Sequence, residues 1–275
     1  MNFFSIIDQL AAADADFLGR FDSRRAIFKH FGTAAQRTAL AATPLFLGGL
    51  FQKAYAGTNA DTPVDILNYA LTLEYLEADF YAKFAASGLI PAGAPTTTLG
   101  KIKQHEDGHV KLLVGTITAL GGTPVKAVQF SQSVFDANKT YAALLGIAEV
   151  LEDTGVRAYK GRAAELVVGA SNGLSASTQA SLLTTALQIH SVEARHAAHI
   201  RFMRGQPAWV SNNDDVASNA AYTGATPETN MVQSNVDLTS KLSSVYSAAD
   251  VAAAFDEALT PAEVLDKSRA GGLVQ

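Results

Sequence analysis

The chain has no cysteine among its 275 residues. Disulfides, thiolate metal ligands and cysteine nucleophiles are therefore excluded, and the redox compartment is left open. Charge is scarce as well. Asp, Glu, Lys and Arg make up 17% of the residues, against about 25% in an average soluble chain. The net charge is −5 and no basic run occurs, so the electrostatic footprint of a nucleic-acid binder is missing and no such partner is expected. No apolar run reaches the roughly 20 residues of a membrane-spanning helix. Apolar residues are plentiful: they supply 48% of the chain, enough for a sizeable core in one large or two modest domains.

Residues 1–22 form a short amphipathic pattern with Phe3, Ile6, Ile7 and Leu10 roughly on one side. Ser23-Arg24-Arg25-Ala26-Ile27-Phe28-Lys29 follows and resembles a twin-arginine export signal, with Ile27 and Phe28 in place of the commoner Phe and Leu. A moderately apolar stretch from Leu40 to Phe51 leads to Ala54-Tyr55-Ala56, a small-x-small cleavage pattern. Residues 1–56 thus read as an export signal, which implies a periplasmic protein that meets the membrane only through that signal. If the segment is retained instead, it is an N-terminal helix of a cytoplasmic protein.

Residues 62–204 carry four helical patterns. Thr62-Pro63-Val64-Asp65 is a helix start, with a capping hydroxyl, a proline tolerated in the first turn and an acid at the positive end of the dipole. The seam that follows is Leu67, Leu71, Glu74, Ala78, Tyr81 and Ala85, in steps of three and four residues. Glu77 and Asp79 fall off it and are expected to be solvated. Thr96 to Thr98 offer caps for a second helix, whose seam is Ile102, Glu106, His109, Leu113, Thr116 and Leu120. Gly121-Gly122-Thr123-Pro124 stops it, and about 15 residues without strong periodicity follow, long enough to cross a bundle from end to end. The third seam is Leu145, Glu149, Glu152, Val156 and Tyr159; the fourth is Leu182, Ala186, Ile189, Glu193, His196, Ile200 and Met203. Residues 205–275 are rich in Asn, Ser, Thr and Asp. They read as an extension wrapping the bundle, with short helices near 248–258 and after the capping-box pattern Thr260-Pro261-Ala262-Glu263. Homo-oligomer contact and packing on the bundle are both open for it.

Each seam interrupts an apolar stripe with an ionisable residue, and an isolated carboxylate there would be costly. Glu and His three apart on a helix lie about 60° apart around its axis and can reach one ion. Two such pairs, Glu106/His109 and Glu193/His196, together with Glu74 and Glu152, make the ligand set of a di-iron or di-manganese carboxylate bundle. The predicted architecture is therefore all-α, a four-helix bundle with a long crossover between helices two and three, flanked by the N-terminal segment and the C-terminal extension. Glu149, one turn before Glu152, is either an extra ligand or a hydrogen-bond acceptor beside the ligands. Tyr81 and Tyr159 each follow a candidate ligand by seven residues, and near the metals they would donate an electron or hydrogen-bond a ligand. His105-Glu106-x-x-His109 also has the form of a zinc-hydrolase helix motif, though no third ligand follows at the extended spacing.

The phrases Leu73-Glu74-Tyr75-Leu76-Glu77-Ala78-Asp79-Phe80-Tyr81, Leu151-Glu152-Asp153-Thr154-Gly155-Val156-Arg157-Ala158-Tyr159 and Glu193-Ala194-Arg195-His196-Ala197-Ala198-His199-Ile200-Arg201 resemble the ferritin-like superfamily. Within it, they more closely resemble bacterial ferritin-like proteins related to plant desiccation-related proteins. The resemblance implies metal ligation by Glu74, Glu106, His109, Glu152, Glu193 and His196. Two Fe or Mn ions would be the cofactors and O2 or peroxide the partner in oxidation, peroxide removal or stress protection. A non-catalytic structural or protective bundle is the rival reading.

Overall fold

The computed structural model describes residues 61–167, 173–211, 214, 219–242, 245–267, 269 and 272–274. The twin-arginine-type stretch and the Ala54-Tyr55-Ala56 pattern lie outside the described residues. Four long helices dominate: α1 (Pro63–Ala86), α2 (Ala94–Ala119), α4 (Tyr141–Ala163) and α5 (Ala176–Met203), with a short α3 (Gln132–Ala137) between the second and third of them. None of the described helices is long and apolar enough to cross a membrane.

Local chemistry sets the helix starts. Thr62 and Asp65 form a reciprocal capping box at α1, with Pro63 in the first turn. Thr140 caps α4 by accepting from Ala143 N, and Ser175 caps α5 by accepting from Thr178 N. α2 departs from expectation. It begins at Ala94 behind Gly93, whose φ of 97° only glycine adopts readily, and no side chain caps it. Pro95 in the first turn explains this: its fixed φ is preset for helix and its missing N–H needs no cap. The Thr96 and Thr97 hydroxyls donate instead to the Pro91 and Gly93 carbonyls.

α1 packs along α2 and α4 along α5, and the two pairs meet through α1 on α4 and α2 on α5. The core falls into two apolar clusters. One contains Leu76, Phe80, Phe84, Leu99, Ile102, Leu144, Leu151 and Ile200. The other contains Ile66, Leu71, Leu113, Ile117, Tyr159, Ala163, Leu182 and Ile189. Each long helix passes from one cluster to the other. α1 and α5 run one way, and α2 and α4 run the other. Because α2 and α4 share a direction, the chain between them must travel the length of the bundle. Residues 120–140 do so, carrying the buried Phe130 and α3, whose Ser131 cap accepts from Val134 N. Ser131 N donates to the Leu273 carbonyl, and Phe130 bridges to Val274, so the end of the extension closes over the crossover.

The extension is built onto α4. After α5 come a two-residue hairpin, β1 (Val232–Gln233) with β2 (Val236–Asp237), and the short helices α6 (Thr239–Leu242), α7 (Ala248–Ala252) and α8 (Pro261–Val264). Capping boxes start α7 at Ser247/Asp250 and α8 at Thr260/Glu263. The helix expected over 248–258 stops at Ala252 because the following backbone finds tertiary partners. Glu257 N donates to Glu228 Oε1 and Leu259 N to the Arg157 carbonyl. Arg157, fully buried on α4, donates to the carbonyls of Ala221, Thr223, Thr226 and Glu257 and pairs with Glu228 through Nε at 2.8 Å. Gly161 is where the extension crosses α4, and a Cβ there would overlap the Leu259 carbonyl oxygen. Covered by its helical neighbours and by this strap, α4 is buried on almost every side, including Asp153, Thr154, Arg157 and Arg162.

Candidate metal centre

Between the two apolar clusters lies a polar layer. Glu74 from α1, Glu106 from α2, Glu152 from α4 and Glu193 from α5 are each 0% exposed, and His109 and His196 stand beside them. The donor atoms form two groups, each spanning no more than 4.8 Å. Glu74, Glu106, His109 and Glu193 make one; Glu106, Glu152, Glu193 and His196 make the other. Glu106 and Glu193 belong to both. The two Glu-x-x-His helices therefore supply the shared carboxylates, while Glu74/His109 and Glu152/His196 form the two ends.

The contacts follow this symmetry. His109 Nδ1 lies 3.1 Å from Glu74 Oε2, 3.1 Å from Glu106 Oε2 and 3.3 Å from Glu193 Oε1. His196 Nδ1 lies 3.0 Å from Glu106 Oε1 and 3.1 Å from Glu152 Oε2. The two oxygens of Glu106 thus face opposite ends of the cluster. The tyrosines cross over: Tyr81 of α1 donates to Glu152 Oε1 on α4, and Tyr159 of α4 donates to Glu74 Oε1 on α1.

Electrostatically the cluster is short of positive charge. Among the described residues, no Lys or Arg pairs with any of these carboxylates. Glu193 Oε2 is buried with no polar partner, and Glu106 Oε1 and Glu193 Oε1 have only the imidazole contacts at 3.0 and 3.3 Å, which fall outside hydrogen-bond geometry. Burial, then the neighbouring carboxylates, pushes Glu193 up to about 8 and Glu106 to about 7. For the imidazoles burial acts downward. The adjoining Glu106, Glu193 and Glu74 carboxylates outweigh it and raise His109 to about 12; Glu152 and Glu106 raise His196 to about 10. Protons thus favour the positions that cations would take. Orphaned buried oxygens, two imidazoles and shared carboxylates in an otherwise apolar core fit a pair of divalent ions.

The remaining candidates lie elsewhere. Glu149 is buried but stands apart from both groups, with its Oε2 2.6 Å from Arg204 Nη1 and its Oε1 3.8 Å from Arg201 Nη1. One turn displaced, it faces the end of α5 and not the bundle axis. His105 belongs to neither group, so the His105/His109 pair of the zinc motif does not converge. Its ring stacks on His196, 5.1 Å between centroids, with Nδ1 2.9 Å from His196 Nε2. His190 contacts the Val156 carbonyl and His199 the Thr98 hydroxyl.

Glu77 corrects the expectation of a solvated residue: it is 3% exposed and belongs to the same layer. Its signal was in the spacing. Glu74-x-x-Glu77 repeats the three-residue step of the Glu-x-x-His pairs, and α1 buries Leu73, Leu76, Glu77 and Phe80 as well as its seam. Sequence reading also missed a second polar knot. Arg201, 1% exposed, binds Asp153, Asp214 Oδ1 at 2.6 Å and Tyr222 Oη at 3.0 Å, and so ties α4, α5 and the extension together.

Four helices with a long crossover and a buried, doubly shared Glu/His layer define a ferritin-like bundle. The model of the ferritin-like domain family matches residues 62–206, and the chain belongs to that family. No curated protein matches the chain.

Proposed function

We propose that this protein is a di-metal carboxylate oxidoreductase that binds two Fe or Mn ions and acts with O2 or peroxide as its oxidant. The observation carrying this reading is that Glu106 and Glu193 are each common to two four-residue donor groups inside one buried layer. Carboxylates and imidazoles suit both metals. When bound, two such ions would supply paired one-electron changes for oxidising Fe(II) or removing peroxide.

The chain's own residues would do the rest. Glu74/His109 and Glu152/His196 hold the two ends, and Glu106 and Glu193 join them. Tyr159 and Tyr81 each engage one oxygen of Glu74 and Glu152, leaving the other oxygen turned to the neighbouring imidazole. They are positioning residues in this arrangement, and the apolar clusters above and below keep water out. A protective role is the expectation implied by the resemblance of the three helical phrases to desiccation-related proteins. The twin-arginine-type stretch supports export of the loaded bundle to the periplasm, and an Arg24→Lys, Arg25→Lys variant retained in the cytoplasm would be the expected outcome.

The direct test is aerobic Fe(II) oxidation and peroxide consumption by metal-loaded protein. Glu106→Ala and Glu193→Ala are expected to lose both ions and the activity. Undiminished turnover in both variants would contradict the assignment, and an inert wild type holding two ions would favour a structural bundle.

A further inference from the structure

Beside the six donors stands a carboxylate that their arrangement does not use. Glu77 lies one helical turn from Glu74 on α1, is 3% exposed, and has no Lys, Arg or His pairing with it among the described residues. The helix opposite it carries no side chain at the nearest position. A Cβ built on Gly155 of α4 would sit 3.0 Å from Glu193 Oε2 and 3.3 Å from Glu77 Oε1. Glycine in a helix interior is less favourable than alanine, and here its effect is to leave a gap between two carboxylates from different helices. Glu193 is 0% exposed, and its Oε2, the oxygen that faces the gap, has no hydrogen-bond partner.

Charge gives the same direction. Glu74, Glu106, Glu152 and Glu193 balance two divalent cations, and Glu77 adds a fifth buried negative group. A fixed carboxylate in such a place needs a proton or a cation. Each four-residue donor group offers four protein ligands, below the six oxygen-rich positions that Mn(II) and similar ions prefer. We infer that Glu77, which stands outside both donor groups in the metal-free arrangement, turns toward Glu193 through the gap at Gly155 and becomes a seventh protein ligand of the centre. The inference rests on the di-metal reading above and extends it. The centre would be richer in carboxylate than the Glu/His set alone, and the added negative charge favours the higher oxidation states of the pair. Glu77 sits off the narrow seam, yet the bundle buries a face two residues wide on α1.

The test uses Co(II), whose visible d–d bands intensify as its coordination number falls, on the full chain. The wild type should bind two Co(II) per chain. Glu77→Gln keeps the shape of a protonated Glu77, so it separates ligand from buried acid. The expected result is stronger d–d absorption together with an at least about 10-fold loss of Co(II) affinity, while the metal-free far-ultraviolet spectrum is unchanged. Complete loss of one ion from a folded variant supports the same conclusion. An identical spectrum and affinity in Glu77→Gln would overturn it and leave Glu77 a protonated acid, with the two-ion centre intact. A wild type that binds no Co(II) would overturn this inference together with the di-metal reading. If Glu77→Gln fails to fold, Glu77→Asp, with the carboxylate withdrawn by one methylene, is held to the same two outcomes.

Discussion

Tyr81 and Tyr159 exchange partners across the bundle, each donating to the carboxylate on the other's helix. Groups that orient a metal ligand typically contribute 10- to 100-fold to metal affinity. Tyr81→Phe and Tyr159→Phe should each weaken Mn(II) binding by about 10-fold, measured by competition with a chelator, and leave two ions at saturation. Proton competition gives a second expectation. Binding requires Glu193 and Glu106, raised to about 8 and about 7, to lose their protons. It also requires His109 and His196, raised to about 12 and about 10, to become neutral. Protons must leave, so apparent Mn(II) affinity should climb steadily from pH 6 to pH 9. Calorimetry in buffers of different ionisation enthalpy should register the release; a flat profile would contradict the cluster's electrostatics. The six residues that gather in the layer were legible because each broke an apolar seam. Glu77 was not, since a seam drawn one residue wide discards its neighbours, and Glu149 lies outside both groups because a single turn separates the bundle axis from the Arg204 side of α4.

Among the elements, α4 depends most on what covers it. Its third-helix seam was visible in the sequence, whereas its remaining faces looked like ordinary polar positions. Asp153 and Arg157 are buried because residues far along the chain fold back over them, and no local pattern announces such partners. Gly161 marks the crossing. Gly161→Ala should force the Leu259 segment off α4, costing about 1–3 kcal/mol and exposing the extension to limited proteolysis while the four-helix bundle survives. Arg157→Ala would leave Glu228 buried without its cation and should cost about 3–5 kcal/mol, read as a lower denaturation midpoint. Protease resistance unchanged in both variants would show that the extension is not held there. The start of α2 was misplaced for a related reason: three threonines look like caps, but Gly93 and Pro95 already set the turn.

Across the whole molecule, a layer of buried carboxylates divides one core into two apolar halves. Without metal that layer is a burden whose sign with pH can be worked out. Glu193 and Glu106 rise from an unfolded value of about 4.5 to about 8 and about 7, Glu228 to about 7, and Asp153 from 3.8 to about 6, burial being the first cause in each. Groups raised on folding stabilise fully below their unfolded value, and this is lost as pH climbs through the folded value. The raised imidazoles act in the same direction, at higher pH. Chelator-treated protein should therefore melt at a higher temperature at pH 5 than at pH 8, and added Mn(II) should reverse the order by stabilising the pH 8 form. The overall fold was readable because four seams with polar interruptions at one level require helices that meet at that level. The direction of α4 followed from the length of residues 120–140. That the extension wraps the bundle was readable from its composition; where it is held was not, since the hold rests on backbone carbonyls accepting from Arg157, which carry no sequence signature.

The central claim is that two ions share Glu106 and Glu193 inside the bundle. Anomalous diffraction from crystals of the Mn(II)-loaded protein tests it most directly. Two peaks between α1, α2, α4 and α5, one beside His109 and one beside His196, are expected. No peak in that layer, or a lone peak at His105, would contradict the claim.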